Sequence, residues 1–116
     1  MSGDLVSIEQ ELVRLSNSLS GVIDEFEALC RIAAEARNDY DVAWAKALLK
    51  ISTDNPKETV AVKDAMATTI VEGQMREARI AEAIRDAAKE RIRALESMLT
   101  VHQSRLRWLD EGRRIG

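Results

Sequence analysis

Cys30 and His102 are the only thiol and the only imidazole in this chain, so between them they set what chemistry the sequence could attempt. A thiolate nucleophile needs a histidine or a basic helix end beside it, and a metal site needs several thiols, imidazoles or carboxylates converging on one point. Cys30 has neither neighbour. The nearest acid before His102 is Glu96, six residues back and on another helical face. Glu25, Glu27, Glu35, Asp39 and Asp41 make an acidic run, but a di-iron carboxylate bundle requires Glu-x-x-His pairs on its helices, and the chain holds none. The expectation is therefore no catalytic, cofactor-binding or metal-binding residues, and a protein that is not an enzyme. Cys30 reads as a small buried hydrophobe, and His102 as a packing residue at the edge of a core.

The cationic residues offer a different chemistry. Arg91, Arg93, Arg105, Arg107, Arg113 and Arg114 surround Trp108, and such a set could grip a phosphate backbone while the indole stacks on a base. The competing reading is a solvated helix face laced with salt bridges. A formal net charge of -3 argues against general nucleic-acid binding. The charge is uneven, however: residues 1–84 hold 9 Lys/Arg against 15 Asp/Glu, and residues 85–116 hold 8 against 5, a basic segment on an acidic chain.

Helices must position all of these groups. Steps alternating between three and four residues pass through Leu5, Ile8, Leu12, Leu15, Leu19, Val22, Phe26, Leu29, Ala33, Ala36, Tyr40, Ala43 and Ala47 without meeting a charge. This unbroken heptad seam specifies one long helix of about residues 5–52. Asp4 is placed to cap it. The run from Ser16 to Gly21 has poor helix propensity, but the seam keeps its phase across it, which predicts continuity.

Past Val22 the flanking position turns apolar, reading Ile23, Cys30, Arg37, Trp44 and Ile51, with Arg37 the one charge. Three apolar positions per heptad need more than one neighbouring helix. The expectation is that Ile23, Cys30, Trp44 and Ile51 form an interface, with two hairpins pairing as a homodimer into a four-helix bundle.

Ser52 to Glu58 is the clear break, and a turn at residues 53–55 is predicted. Asn55 as N-cap and Pro56 at the first helical position predict a second helix of about residues 56–111. Its stripe would run through Met66, Ile70, Ala81, Ile84 and Ala88, then Ile92, Leu95, Leu99, His102, Leu106 and Leu109. Antiparallel return about this turn would set Gly73 against Ala33 and Ala34, and His102 near Leu5 and Val6. It would also lay the basic residues 85–113 beside the acidic residues 1–25.

The fold class expected is thus all-α, a long antiparallel helical hairpin forming a single domain of 116 residues. A lone cysteine closes no internal disulfide, and the opening Met-Ser-Gly-Asp lacks the pattern of a signal peptide, so a cytoplasmic location is expected. No apolar run approaches the roughly 20 residues that span a bilayer, so no membrane association is expected.

Three fragments together resemble small helical accessory proteins of tailed bacteriophages, often encoded near recombination or replication genes. They are Ala36-x-x-x-Tyr40-x-x-x-Trp44-Ala45-Lys46-x-x-Leu49, Thr59-Val60 with Lys63-Asp64-Ala65, and Ala94-Leu95-Glu96-Ser97-Met98-Leu99-x-x-His102-Gln103-Ser104-Arg105. The resemblance covers about residues 36–107, although Val62-Lys63 stands where such proteins often carry an acidic signal. It implies a phage accessory factor working by protein contact in the host cytoplasm.

The function expected is therefore that of a non-enzymatic interaction or adaptor protein with a protein partner. Two alternatives stand beside it: single-stranded nucleic-acid binding through Arg91, Arg93, Arg105, Arg107 and Trp108, and inhibition of a host defence protein by an acidic surface.

Overall fold

The computed structural model describes residues 2–115, with side chains described for residues 4–112. The chain is all-α: α1 spans Ser2–Asp54, α2 Val60–Ile70 and α3 Glu72–Ile115, with no strand among the described residues. The returning limb, α2 and α3, pairs with α1 as a helical hairpin. Contacts divide the chain into two compact units, residues 28–86 and residues 1–27 with 87–116.

Helix α1 runs unbroken through Ser16 to Gly21. Every seam residue from Leu5 to Ala47 is buried or half-buried. Apolar contact along a continuous stripe outweighs the weak propensity of four small polar residues and one glycine in this run, each of which costs about 1 kcal/mol or less. Gly21 is exposed, and a Cβ built on it would meet nothing within 4 Å. Gly21→Ala should therefore raise stability by about 1 kcal/mol; thermal melting that shows no gain would mean the helix is not continuous in solution.

The turn differs from the sequence expectation. Asn55 ends α1 instead of starting the next helix: its backbone N–H and its Nδ2 both donate to the Ile51 carbonyl, at 2.8 and 3.1 Å. Glu58 N–H then donates to the Asn55 carbonyl at 3.2 Å, which puts Pro56 at the second position of a β-turn, where its fixed φ is favoured. The N-cap is Thr59, whose backbone is extended and whose hydroxyl accepts from Val62 N–H at 3.3 Å. The second helical limb thus begins at Val60, not Pro56. Thr59→Ala should cost about 1 kcal/mol, read by urea denaturation, whereas Asn55 truncation should act on the end of α1.

The returning limb is interrupted at Val71, between α2 and α3. Thr68, Thr69, Ile70 and Val71 form a β-branched run, and both threonine hydroxyls donate back to backbone carbonyls, Thr68 to Asp64 at 2.8 Å and Thr69 to Ala65 at 3.0 Å. Such bonds bend helices, and branched side chains lose rotamer freedom in them. Val71 itself is 2% exposed, so packing holds the distorted residue in place. Its N–H still donates to Ala67, and Met75 N–H donates to Val71, so the helical pattern resumes at once.

In the unit of residues 28–86, Ala47, Ile51, Ala67 and Val71 form a buried cluster, with Tyr40, Ala43, Trp44 and Leu48 packed against it. Small residues dominate this core and let the two limbs approach closely. Arg37 on α1 hydrogen-bonds Glu82 on α3 and lies 5.3 Å from the Tyr40 ring centroid. In the unit of residues 1–27 and 87–116 the buried residues are larger: Ile8, Leu15 and Val22 recur every seventh position, with Ala88 from α3.

Several expected pairings are corrected. Met66, Ile70 and Ile84 are exposed; the residues of α2 and α3 that face inward in that unit are Ala67, Val71 and Ala78. Gly73 does not face alanines across the hairpin, since nothing lies within 4 Å of a Cβ built there. Carrying the reversal from Asn55 to Thr59 also shifts the partners on α1 toward the C-terminus, as the pairing of Arg37 with Glu82 shows.

Candidate functional site

The four flank residues of α1 do not share one environment. Ile51 is 4% exposed and belongs to the hairpin core, and Trp44 is half-buried against that same core, so neither is a surface awaiting a partner. Cys30 is a half-buried free thiol in the same unit. Ile23, in the other unit, is 39% exposed. The physical reason lies in the return limb: Ala67 and Ala78 leave room for larger side chains from α1 to reach across, so one hairpin covers a wider stripe than two equal helices would.

His102 sits in a shallow depression with Ile8, Ser7, Asp4 and Glu11 from α1 and Arg105 from α3. The expected neighbours were Leu5 and Val6; Asp4 adjoins them in sequence, and the shift toward the C-terminus of α1 adds Glu11, which spacing alone did not bring. Its Nδ1 is buried without a hydrogen-bond partner. Glu11 is already engaged: Arg14 Nε donates to it at 3.0 Å, and this hydrogen bond holds its carboxyl below the usual carboxylate range while raising the guanidinium of Arg14. Arg37 is raised likewise, chiefly by its hydrogen bond to Glu82. Among the described residues no group of three or more His, Cys, Asp and Glu stands close enough to hold a metal ion.

The arginine set is divided. Arg93 Nη1 donates to Glu90 at 2.9 Å. Arg107 lines a second depression with Leu5, Glu9, Gln103, Leu106 and Asp110. Arg91 reaches Glu25 on α1 loosely, at 3.9 Å, with both side chains more than half exposed, so the expected attraction between basic and acidic limbs appears here as a weak pair. Trp108 is 75% exposed. By helical spacing Arg91, Arg105 and Trp108 share one face of α3, while Arg93 and Arg107 share another. Arg113 and Arg114 lie outside the residues whose side chains are described.

The chain matches no protein-family model, no curated protein and no solved structure.

Large apolar side chains are exposed on both limbs, on α1 at Val6, Val13, Ile32, Val42 and Leu49, and on the return limb in a spaced row. Met66, Ile70, Ile80 and Ile84 in one unit, and Met98, Val101 and Trp108 in the other, are each between 38% and 75% exposed. Sequence reading missed their importance because it assigned Met66, Ile70 and Ile84 to the hairpin seam. Among the described residues no helix is long and apolar enough to cross a membrane.

Proposed function

We propose that this chain is a non-enzymatic interaction protein that docks through helix faces onto a protein partner, as an adaptor. The observation that carries this is the row of Met66, Ile70, Ile80 and Ile84 on the outside of a hairpin whose own core is already closed by Ala67, Val71 and Ala78. One hairpin needs one apolar stripe, and a second stripe on the same limb is the pattern of a helix with a further neighbour. In keeping with the resemblance of its sequence fragments to phage accessory proteins, the partner proposed is a recombination or replication factor of the host cytoplasm. The test is crosslinking of the intact protein in its host. A partner captured by the parent chain, lost in an Ile80→Glu, Ile84→Glu variant and kept in Val13→Glu supports docking by this face; equal capture by all three refutes it.

A second reading rests on the exposed Trp108 beside Arg105. Single-stranded nucleic acid held there would bind with a steep dependence on salt, unlike docking by apolar contact. A Trp108→Ala change that leaves oligonucleotide binding intact would dismiss it.

A further inference from the structure

The exposed apolar residues of the return limb follow a heptad of their own. In the unit of residues 28–86, Met66, Ile70, Gly73, Glu77, Ile80 and Ile84 are spaced alternately four and three apart, one helical stripe turned away from the buried stripe of Ala67, Val71 and Ala78. Its bulk lies at the two ends, with a gap at Gly73 and one charge, Glu77. In the unit holding residues 87–116, Ala87, Arg91, Ala94, Met98 and Val101 of α3 follow the same spacing, with Met98 43% and Val101 57% exposed. There the gaps are Ala87 and Ala94, and the charge is Arg91.

The two stripes are complementary in shape and in charge. Laid antiparallel, Ile70 meets Val101, Gly73 meets Met98, Glu77 meets Ala94 with Arg91 one turn away, and Ile84 meets Ala87. Ile80 packs on the aliphatic stem of Arg91. Large opposes small at three of the six levels, Met66 meets Arg105 at the next position of the second stripe, and the single acid of the first stripe lies beside Arg91 of the other. A parallel arrangement would instead set Glu77 beside Glu77 and Arg91 beside Arg91. We infer that the occupant of this face is a second copy of the chain, the Met66–Ile84 stripe of one seated antiparallel on the Ala87–Val101 stripe of the other. Each pairing reads the same from either chain, as a two-fold dimer requires.

Gly73 fits this pairing. It is helical with no positive φ, and a Cβ built on it would meet nothing within 4 Å, so neither backbone conformation nor packing inside the chain asks for glycine there. Helix propensity disfavours it by about 1 kcal/mol relative to alanine. Met98 of a second copy supplies the close neighbour that the chain itself lacks.

The inference rests on the reading of these helix faces as binding surfaces, and the experiment separates the two. In a Cys30→Ser background, the double variant Ile70→Cys, Val101→Cys should form a disulfide-linked dimer on mild oxidation, whereas either single cysteine variant should not. Both positions are exposed, so circular dichroism should show helicity unchanged. In the otherwise unaltered chain, Glu77→Lys should weaken dimerisation by about tenfold or more, and adding Arg91→Glu should restore it. Light scattering that finds the unaltered protein monomeric at micromolar concentration, or a dimer trapped by Ile70→Cys alone, overturns the self-pairing. A monomer that still captures a protein through Ile80 and Ile84 overturns it while leaving the adaptor reading intact.

Discussion

Replacing Leu15 with alanine should destabilise the protein by about 3 kcal/mol, as measured by urea denaturation with an unchanged slope. Leu15 is 1% exposed and is, with Val71, the largest fully buried side chain. A paired-helix core has little material with which to refill a cavity, so the deleted methyl groups lose both their burial and their contacts. Val13 is two residues away on the same helix but 62% exposed, and Val13→Ala should cost a few tenths of that. Equal losses at the two positions would show that the heptad seam does not face the return limb.

Enlarging Ala67 should be the second costly change. Ala67 is 0% exposed and sits among Ala47, Ile51 and Val71. The α1 and α2 backbones come close because these positions are small, and a leucine must push the limbs apart or leave its rotamer well. Ala67→Leu should cost about 1 to 3 kcal/mol even though leucine is a good helix former and adds apolar area. Ala65 is exposed on the same helix, and Ala65→Leu should be close to neutral. If Ala67→Leu stabilised the protein, the space there would be a void and the alanine cluster would not be close-packed.

These two sites differ in how legible they were. Leu15 could be placed from sequence because the seam from Leu5 to Ala47 is a one-dimensional pattern: heptad phase is fixed along a single helix and needs no knowledge of the partner. The same pattern determined the all-α class and the passage of α1 through Gly21. It was strong enough to override local propensity because every seam residue gains from burial at once.

Tertiary structure decided the return limb. The inward residues there are Ala67, Val71 and Ala78, mostly too small to stand out, while the residues that catch the eye, Met66, Ile70 and Ile84, point outward. Hydropathy weighs size; packing between close backbones rewards its absence. The turn mattered as much, since Asn55 and Pro56 could begin a helix or close a β-turn, and in the folded chain both donors of Asn55 close the end of α1 on the Ile51 carbonyl. That choice moved the helix start to Thr59 and changed which residues of α1 meet those of α2 and α3. The seam was therefore written into α1 itself, whereas its partners, the neighbours of His102 and the outward stripe of Met66 to Ile84 depend on a register that only the folded hairpin fixes.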